Sequence, residues 1–322
     1  MRYRINSGTS HKEPTRVLLI AFVVMSSLIF LSGCKEPVAK TAEQTASKKT
    51  PKRIVSLAPT VTETLFALGL DKEIVGVTNY CNYPPKAKTK TRTGGLMDQN
   101  FEAVLGLQPD LVIALPCHAA TVSKLNDLGV RTLSVNNETI SNLLSSIKAI
   151  GAATGKKTAA AKLVSDLKAK IESARSVRPD SKRPRVMIVV GRNPGTLQNI
   201  YVAGNSNFFN EALVITGGKN IFGDVRLKYP QPSLEEIISR NPQIIIESLV
   251  GFDYKPEDVK RFVNEWNALG DVDAVKNHRV YVWTEDYVSI PGPRLPQLLE
   301  KLEKALNEPA PAKSNPANRR NR

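Results

Sequence analysis

Two glutamates recur at matching positions in the two halves of this 322-residue chain, and their carboxylates could bind cationic groups. Glu102 and Glu235 each follow a candidate helix N-cap residue, Asn100 or Ser233, by two positions, and a proline and an apolar run then follow at the same spacing. A glutamate in the first turn of a helix can simply interact with the helix dipole, by about 0.3–1 kcal/mol. Its recurrence in both halves favours a symmetric pair of exposed carboxylates that docks two cationic groups of a partner. Because Ser233 and Glu236 have the spacing of a capping box, Glu235 is predicted to point outward.

The chain has no sequence motif that would carry catalysis. It contains no Gly-x-Ser-x-Gly, His-Glu-x-x-His or Cys-x-x-Cys pattern. The segment Gly151–Thr158 resembles a phosphate-binding loop only in composition, because its glycine spacing is one residue short and it follows a predicted helix. Cys117 and His118 could bind a metal ion, but the sequence offers no further ligands nearby. We therefore expect neither an enzyme nor a resident cofactor or metal.

The first 34 residues have the pattern of an export signal. A basic start precedes the uncharged apolar run Val17–Phe30, which is too short to span a bilayer comfortably, and small residues follow it. The segment Leu31–Cys34 resembles a bacterial lipobox. This pattern predicts a signal peptide at residues 1–33 and a diacylated Cys34, so that the protein is exported and lipid-anchored on the periplasmic or cell-surface side. The alternative is an ordinary secretory signal with an incidental cysteine.

The net charge of +15 is concentrated outside the predicted fold. Most of the excess lies in the leader, in a Lys/Thr/Ala-rich tether at residues 34–53, and in a basic tail at residues 308–322 that we predict to be disordered. The tether could lie on anionic headgroups or simply act as a soluble linker. Because the remaining fold is only mildly basic, we expect no nucleic-acid partner.

Two cysteines remain once Cys34 is assigned to the lipid. Cys81 and Cys117 each follow an apolar run that is predicted to be a buried strand. Disulfides persist in exported proteins, and the carboxyl ends of neighbouring parallel strands lie at one edge of a sheet. If the two strands are neighbours, the pattern predicts a Cys81–Cys117 disulfide.

From Arg53 onward, short β-branched runs alternate with helical stretches, which is typical of parallel βα units. Thr60 and Glu63 have capping-box spacing at the start of the first helix. The pattern predicts an α/β fold of two Rossmann-like lobes with central parallel sheets, at residues 54–155 and 181–307. Strands are predicted at Ile54–Leu57, Ile74–Thr78, Leu111–Leu115, Val130–Val135, Val186–Val190, Ile200–Ala203, Ile244–Ile246 and Val280–Trp283. Helices are predicted at Thr60–Leu68, Phe101–Leu107, Thr121–Leu128, Ile140–Thr154, Phe208–Ile215, Leu234–Ser239, Pro256–Ala268 and Arg294–Leu306.

One long helix is predicted to join the lobes. Residues 158–177 contain no glycine or proline, and apolar residues recur along one face at helical spacing. We therefore place a single linking helix within residues 156–180. The apolar residues are Leu163, Leu167, Ile171, Ala174 and Val177.

Several motifs together resemble the helical-backbone (class III) substrate-binding proteins of ABC importers, with most similarity to the cobalamin-binding branch. Siblings of that branch carry siderophores and haem. The resemblance covers roughly residues 53–307. The motifs are Arg53–Pro59 with Thr62-Glu63, Val75–Pro85, Asn100–Ile113, Gly217–Phe222, Tyr229–Glu235 and Pro293-Arg294.

The resemblance implies a ligand cleft between the lobes and a role for both recurrent glutamates. By motif position, Glu102 and Glu235 would dock onto arginines of the membrane permease. Leu96, Tyr229 and Tyr287 stand where the cobalamin binder has tryptophans, and a tyrosine ring still offers a flat, partly apolar face. The implied ligand-binding residues are Tyr80, Tyr83, Leu96, Tyr229, Asp286 and Tyr287. Arg192 and Asn193, in a turn that follows a predicted strand, are also candidates that could bind ligand amides or a phosphate, or could simply shape the loop.

Taken together, the resemblance implies an extracytoplasmic solute-binding lipoprotein. We expect a monomer that captures a corrinoid and delivers it to an ABC permease with a cytoplasmic ATPase. A ferric siderophore or haem is the alternative ligand. An anionic siderophore would require several convergent cations, and only Arg192 and Arg294 are near candidate positions. An anchored adaptor or enzyme on the same fold is the alternative from a different class.

Overall fold

The computed structural model describes residues 50–249 and 254–309. The predicted signal peptide, Cys34, most of the tether and nearly all of the tail lie outside these residues.

The first lobe is built on a fully parallel five-stranded sheet in the order β3-β2-β1-β4-β5. Its central strands are short apolar runs that are almost fully buried, as expected for a parallel sheet covered on both faces. The α/β prediction is confirmed for this lobe. The strands are β1 (Ile54–Ser56), β2 (Ile74–Val77), β3 (Thr91–Arg92), β4 (Leu111–Ala114) and β5 (Thr132–Ser134). The helices are α1 (Pro59–Ala67), α2 (Phe101–Gly106), α3 (Ala119–Asp127) and α4 (Ile140–Ala153).

A single helix, α5 (Lys157–Ser173), follows and contacts both lobes. Its buried face packs against α4 of the first lobe and against the C-terminal helix of the second lobe. The helix is shorter than predicted. Beyond it the backbone N–H of Ser176 donates to the carbonyl of Ile215 at 2.8 Å, and Val177 is 98% exposed rather than part of the apolar stripe. The buried residues of α5 are Ala160, Val164, Leu167 and Ile171.

The second lobe has a mixed sheet in the order β10-β9-β6-β7, with β8 also pairing with β6. All of its pairs are parallel except β6 with β7. Only nine residues separate these two strands, too few for a parallel crossover, so they form an antiparallel pair. The strands are β6 (Arg185–Gly191), β7 (Tyr201–Val202), β8 (Lys219–Asn220), β9 (Ile244–Ser248) and β10 (Val280–Trp283). The helices are α6 (Phe208–Ile215), α7 (Leu234–Arg240), α8 (Pro256–Glu265), α9 (Asp273–Lys276) and α10 (Leu295–Asn307).

The starts of the helices show which sequence signals predict an N-cap correctly. The Asn100 side chain accepts the Ala103 N–H at 2.9 Å, and the Ser233 hydroxyl accepts the Glu236 N–H at 3.2 Å, so both predicted N-caps are confirmed. The predicted Thr60–Glu63 capping box is wrong. The helix α1 begins at Pro59, with Thr60 already inside it, and the Glu63 carboxylate binds Arg294 of the other lobe.

The predicted Cys81–Cys117 disulfide is wrong, because both residues are free thiols. Their strands are not neighbours: β1 lies between β2 and β4. Two strand spacings amount to roughly 10 Å, whereas a disulfide requires Cα atoms within about 7 Å. Cys81 is buried, with its Sγ 3.1 Å from the hydroxyls of Thr62 and Thr78, and Cys117 is exposed.

Within residues 50–249 and 254–309, no helix is long and apolar enough to cross a membrane.

We expect the two thiols to differ sharply in reactivity. Iodoacetamide should alkylate Cys117 in the native full-length protein and Cys81 only after unfolding without reductant, since Cys81 is buried among apolar side chains. Peptide mass spectrometry would locate the labels. A peptide pair linked through Cys81 and Cys117 would contradict the free-thiol assignment.

Candidate functional site

The recurrent glutamates lie on the surface at the starts of α2 and α7. Glu102 and Glu235 are both exposed in the first turn of their helices. Hydrogen bonds from its own backbone N–H and from the Ser233 hydroxyl lower the pKa of Glu235. Glu236 is not the reciprocal capping partner that the spacing predicts, because its carboxylate accepts a hydrogen bond from Arg240 at 3.0 Å. Each lobe therefore presents one exposed glutamate carboxylate at a helix start.

Loops at the carboxyl ends of strands from both lobes meet at the boundary between them. The Thr60 hydroxyl, just after β1, donates to the Pro291 carbonyl at 2.6 Å. Glu211 of α6 accepts the backbone N–H of Ile140, the first residue of α4, at 2.6 Å. The boundary is therefore the place where side chains of both sheets can converge on one ligand.

Arg294 makes a buried, bidentate ion pair across this boundary. Its Nε and Nη2 donate to the two oxygens of Glu63 at 2.9 and 2.5 Å, and Nη1 donates to Asp286 at 2.7 Å. The side chains of Arg294 and Glu63 are only 9% and 2% exposed. Burial alone would lower the pKa of Arg294, but the hydrogen bonds that it donates to Glu63 and Asp286 raise the pKa above its usual value. Arg294 is therefore a fully ionised cation whose charge is already matched.

Arg294 and Glu63 line a cavity of about 460 Å³ between the lobes. The first lobe contributes Phe66 and Tyr83, and the second contributes Pro293 and Gln297. The walls are therefore mainly flat and apolar, with one amide and one neutralised ion pair.

The structure brings three of the predicted ligand residues together around Arg294, and one of them, Tyr83, also lines the cavity. The Tyr83 ring lies 4.0 Å from the guanidinium carbon of Arg294, and the Tyr287 ring lies 5.8 Å from it on the other side of the boundary. Asp286 binds the same guanidinium. Tyr83 is 41% exposed, so its ring remains accessible from solvent while it contacts Arg294.

A second ion pair between the lobes lies beside another predicted tyrosine. Lys228 donates to Glu138 at 2.5 Å, with both side chains about half exposed. Burial, with a further contribution from the Glu138 charge, raises the pKa of the adjacent Tyr229, and the same two causes contribute to the raised pKa of the Cys117 thiol. Tyr229 and Cys117 therefore both lie near the Lys228–Glu138 pair.

The prediction that Arg192 binds ligand is wrong for this structure. Its guanidinium is 0% exposed and lies 2.8 Å from Glu247 and 2.5 Å from Glu265. The rings of Phe262 and Trp266 cover it at 4.8 and 5.6 Å. Two carboxylates and two rings hold the cation inside the second lobe, so it is a structural residue.

The remaining predictions concern Tyr80, Asn193 and Leu96. Tyr80 is 49% exposed and Asn193 is exposed in the turn between β6 and β7, so ligand binding by these residues stays a prediction. Leu96 is partly buried against the core cluster.

His118 holds the Leu96 loop in place, a role that the sequence did not predict. The Nε2–H of His118 donates to the Leu96 carbonyl at 2.8 Å, and Nδ1 accepts the Leu115 N–H at 3.1 Å. The ring is buried and neutral in this arrangement, and burial lowers the pKa of His118. Sequence reasoning also missed the interlobe ion pairs of Glu63, Glu138 and Lys228, because the partners lie far away along the chain.

Two α/β lobes that are joined by one helix and meet at an aromatic boundary define a bilobal solute-binding protein. The chain belongs to the periplasmic binding protein family, whose model matches residues 54–287. It is therefore a substrate-binding protein, and its boundary cavity is the candidate ligand cleft.

Curated relatives agree with this family. The chain is 35% identical over 269 residues to the ABC transporter substrate-binding lipoprotein YvrC of Bacillus subtilis, which covers 80% of this chain and 81% of the relative. It is 28% identical over 253 residues to the vitamin B12-binding protein of Vibrio cholerae, and this match covers 78% of this chain and 87% of the relative.

Solved structures show the same fold with different ligand descriptions. A possible iron-binding protein of Staphylococcus epidermidis superposes with a TM-score of 0.68 at 30% identity, over 81% of this chain and 100% of that one. The vitamin B12-binding protein BtuF of Vibrio cholerae superposes with a TM-score of 0.67 at 27% identity, over 80% of this chain and 96% of that one. The haem-binding protein RhuT of Roseiflexus gives 0.67 at 24% identity, over 79% and 97%, which shows the fold alone.

We expect acid to destabilise the protein through His118. Its folded-state pKa lies below the ordinary value of 6.5, so the unfolded chain takes up this proton first as the pH falls. The stabilisation is therefore complete above about pH 6.5 and is lost below it, by at most about 1.4 kcal/mol per pH unit. Urea unfolding between pH 7.5 and 5 measures this slope. The variant His118→Gln, which does not titrate, should show a shallower slope, and identical slopes would contradict the assignment.

Proposed function

We propose that the protein is a lipid-anchored, extracytoplasmic monomer that captures a corrinoid between its lobes and delivers it to an ABC permease with its ATPase. The observation that supports this ligand class is that Arg294 and Lys228, the cations described at the boundary, are each paired with carboxylates. Arg294 is held by Glu63 and Asp286, and Lys228 is held by Glu138. A ligand with neutral amide groups around a large apolar ring suits such a cleft, because it needs no unpaired cation.

The aromatic side chains of the cleft support the same ligand class. Tyr83, Tyr229 and Tyr287 present flat, partly apolar surfaces at the boundary between the lobes. Rings of this kind bury large apolar area and keep a polar end for amide groups. The curated vitamin B12-binding relative matches most of this chain, which adds to the argument.

Iron-containing ligands are the second candidate. The similarity to a possible iron-binding protein favours this candidate, since the identity of 30% exceeds that to BtuF. Haem carries two propionates and many ferric siderophores are anionic, so either would need cations to bind its carboxylates. Here Arg192 is buried, and Arg294 and Lys228 are each paired with carboxylates, which favours the corrinoid.

The paired glutamates support docking to a permease. Glu102 and Glu235 lie at equivalent places in the two lobes and are exposed. Two carboxylates on separate lobes could be held by two cationic sites of one partner, and the docking would then sense how the lobes are oriented. Cys34 would tether the protein beside that partner through its lipid.

A ligand panel tests the corrinoid. In titration calorimetry we expect the protein to bind cyanocobalamin or cobinamide, and Tyr83→Ala to weaken that binding by about tenfold through loss of ring contact. Tyr201→Ala is the matched control, because Tyr201 on β7 has nearly the same exposure, 43%, and is not among the residues that line the cavity. Binding of haem or a ferric siderophore with no response to either corrinoid would overturn the proposed ligand.

Charge reversal tests the docking surface. We expect Glu102→Lys with Glu235→Lys to abolish stimulation of the ATPase of the reconstituted permease and to leave ligand affinity unchanged. Glu172→Lys with Glu303→Lys is the control, because it changes the net charge equally at exposed positions of α5 and α10. Loss of ligand affinity in the first pair would instead place those glutamates in the cleft.

A further inference from the structure

Arg294 touches residues of both lobes at the candidate cleft. We propose that Arg294 is a positioning residue for ligand binding: it sets the orientation of the lobes and aligns Tyr83 of the first lobe with Asp286 of the second. The part that concerns ligand affinity rests on the proposed function, and the part that concerns lobe orientation does not.

All three nitrogens of the guanidinium take part in hydrogen bonds, to Glu63 across the boundary and to Asp286 within the second lobe. Two of its nitrogens bind both oxygens of Glu63, and the third binds Asp286. This planar fork requires arginine, because the ammonium of lysine is a point donor that cannot make the bidentate contact. The direction of Asp286 relative to the first lobe is therefore set by Arg294.

The face of the same guanidinium determines where Tyr83 lies. The ring centre is 4.0 Å from the guanidinium carbon, which is a close cation–π contact. One side chain thus holds a candidate ligand residue from each lobe, through its edge and through its face.

The backbone around Arg294 fits the first lobe closely. The Pro291 carbonyl accepts the Thr60 hydroxyl, and that hydroxyl accepts the amide of Asn137 at 3.0 Å. A Cβ added at Gly292 would lie 3.2 Å from Oε2 of Glu63, closer than ordinary van der Waals contact. We call this contact, residues 291–294 against Thr60 and Glu63, the interlobe joint.

Because the interlobe joint is buried, its ion pair is either fully formed or fully broken. Arg294 and Glu63 are almost fully buried, so separating them would leave uncompensated charges inside the protein. The half-exposed Lys228–Glu138 pair can be replaced by water at little cost. Of these two interlobe contacts, the joint is therefore the one that holds the geometry.

The experiment compares two buried arginines in the full-length protein. Arg294→Lys is the test and Arg192→Lys is the matched control, since Arg192 is also held by two carboxylates and two rings but lies inside one lobe. Spin labels at Lys124→Cys on α3 and Ser239→Cys on α7, in a Cys117→Ser background, report the interlobe distance distribution by pulsed electron spin resonance. Cyanocobalamin affinity is measured in parallel by calorimetry.

We expect Arg294→Lys to broaden the distance distribution and to weaken cyanocobalamin binding by about tenfold or more, the scale of one lost charge-assisted hydrogen bond. Arg192→Lys should lower the melting temperature and change neither readout. An unchanged distribution in Arg294→Lys, with the affinity of the control, would overturn the inference even if stability falls.

A second variant covers the case in which Arg294→Lys does not fold. Gly292→Ala keeps every charge but pushes against Glu63, so we expect it to shift the interlobe distance and weaken binding. A Gly292→Ala protein identical to wild type in both readouts would overturn the inference. If the wild-type protein binds no corrinoid, the proposed ligand is wrong, and the distance distributions alone decide the role of Arg294.

Discussion

One apolar layer is shared by the two lobes, and the rest of the structure depends on it. Ile54 of the first sheet, Ile188 of the second and Val164 of the linking helix belong to the same buried cluster. A parallel sheet must bury both of its faces, so each lobe needs helices on its inner side. Because α4, α5 and α10 cover that side for both lobes, separating the lobes would expose apolar surface at roughly 25 cal/mol per Å².

The polar boundary follows from this shared core. Once the lobes are held face to face, charges that leave solvent need partners from the opposite lobe, and Glu63 meets Arg294 while Glu211 meets the start of α4. The same pairing defines the chemistry of the cleft, where the accessible surfaces are the rings of Tyr83 and Tyr229. Lobe orientation and the charge of the candidate cleft therefore have one physical origin.

Local signals predicted the elements well and the long-range pairings poorly. Asn100 and Ser233 were recognised as caps because a cap bonds to an N–H three residues away. The position of Arg192 after a strand predicts that it lies in the cleft. In the structure its guanidinium instead donates to Glu247, 55 residues further along the chain, in the interior of the second lobe. The disulfide prediction failed likewise, because strand order is a property of the whole sheet.

The sequence by itself determined the alternation of strands and helices, the duplicated glutamates and the family motifs, since each depends on residues close together in the chain. Tertiary structure alone decided which charges pair and which side chains meet at the boundary. Glu63 has capping-box spacing to Thr60, three residues away, yet it binds Arg294, 231 residues distant. A buried carboxylate takes the partner that offsets its desolvation, and only the assembled lobes bring that partner within reach.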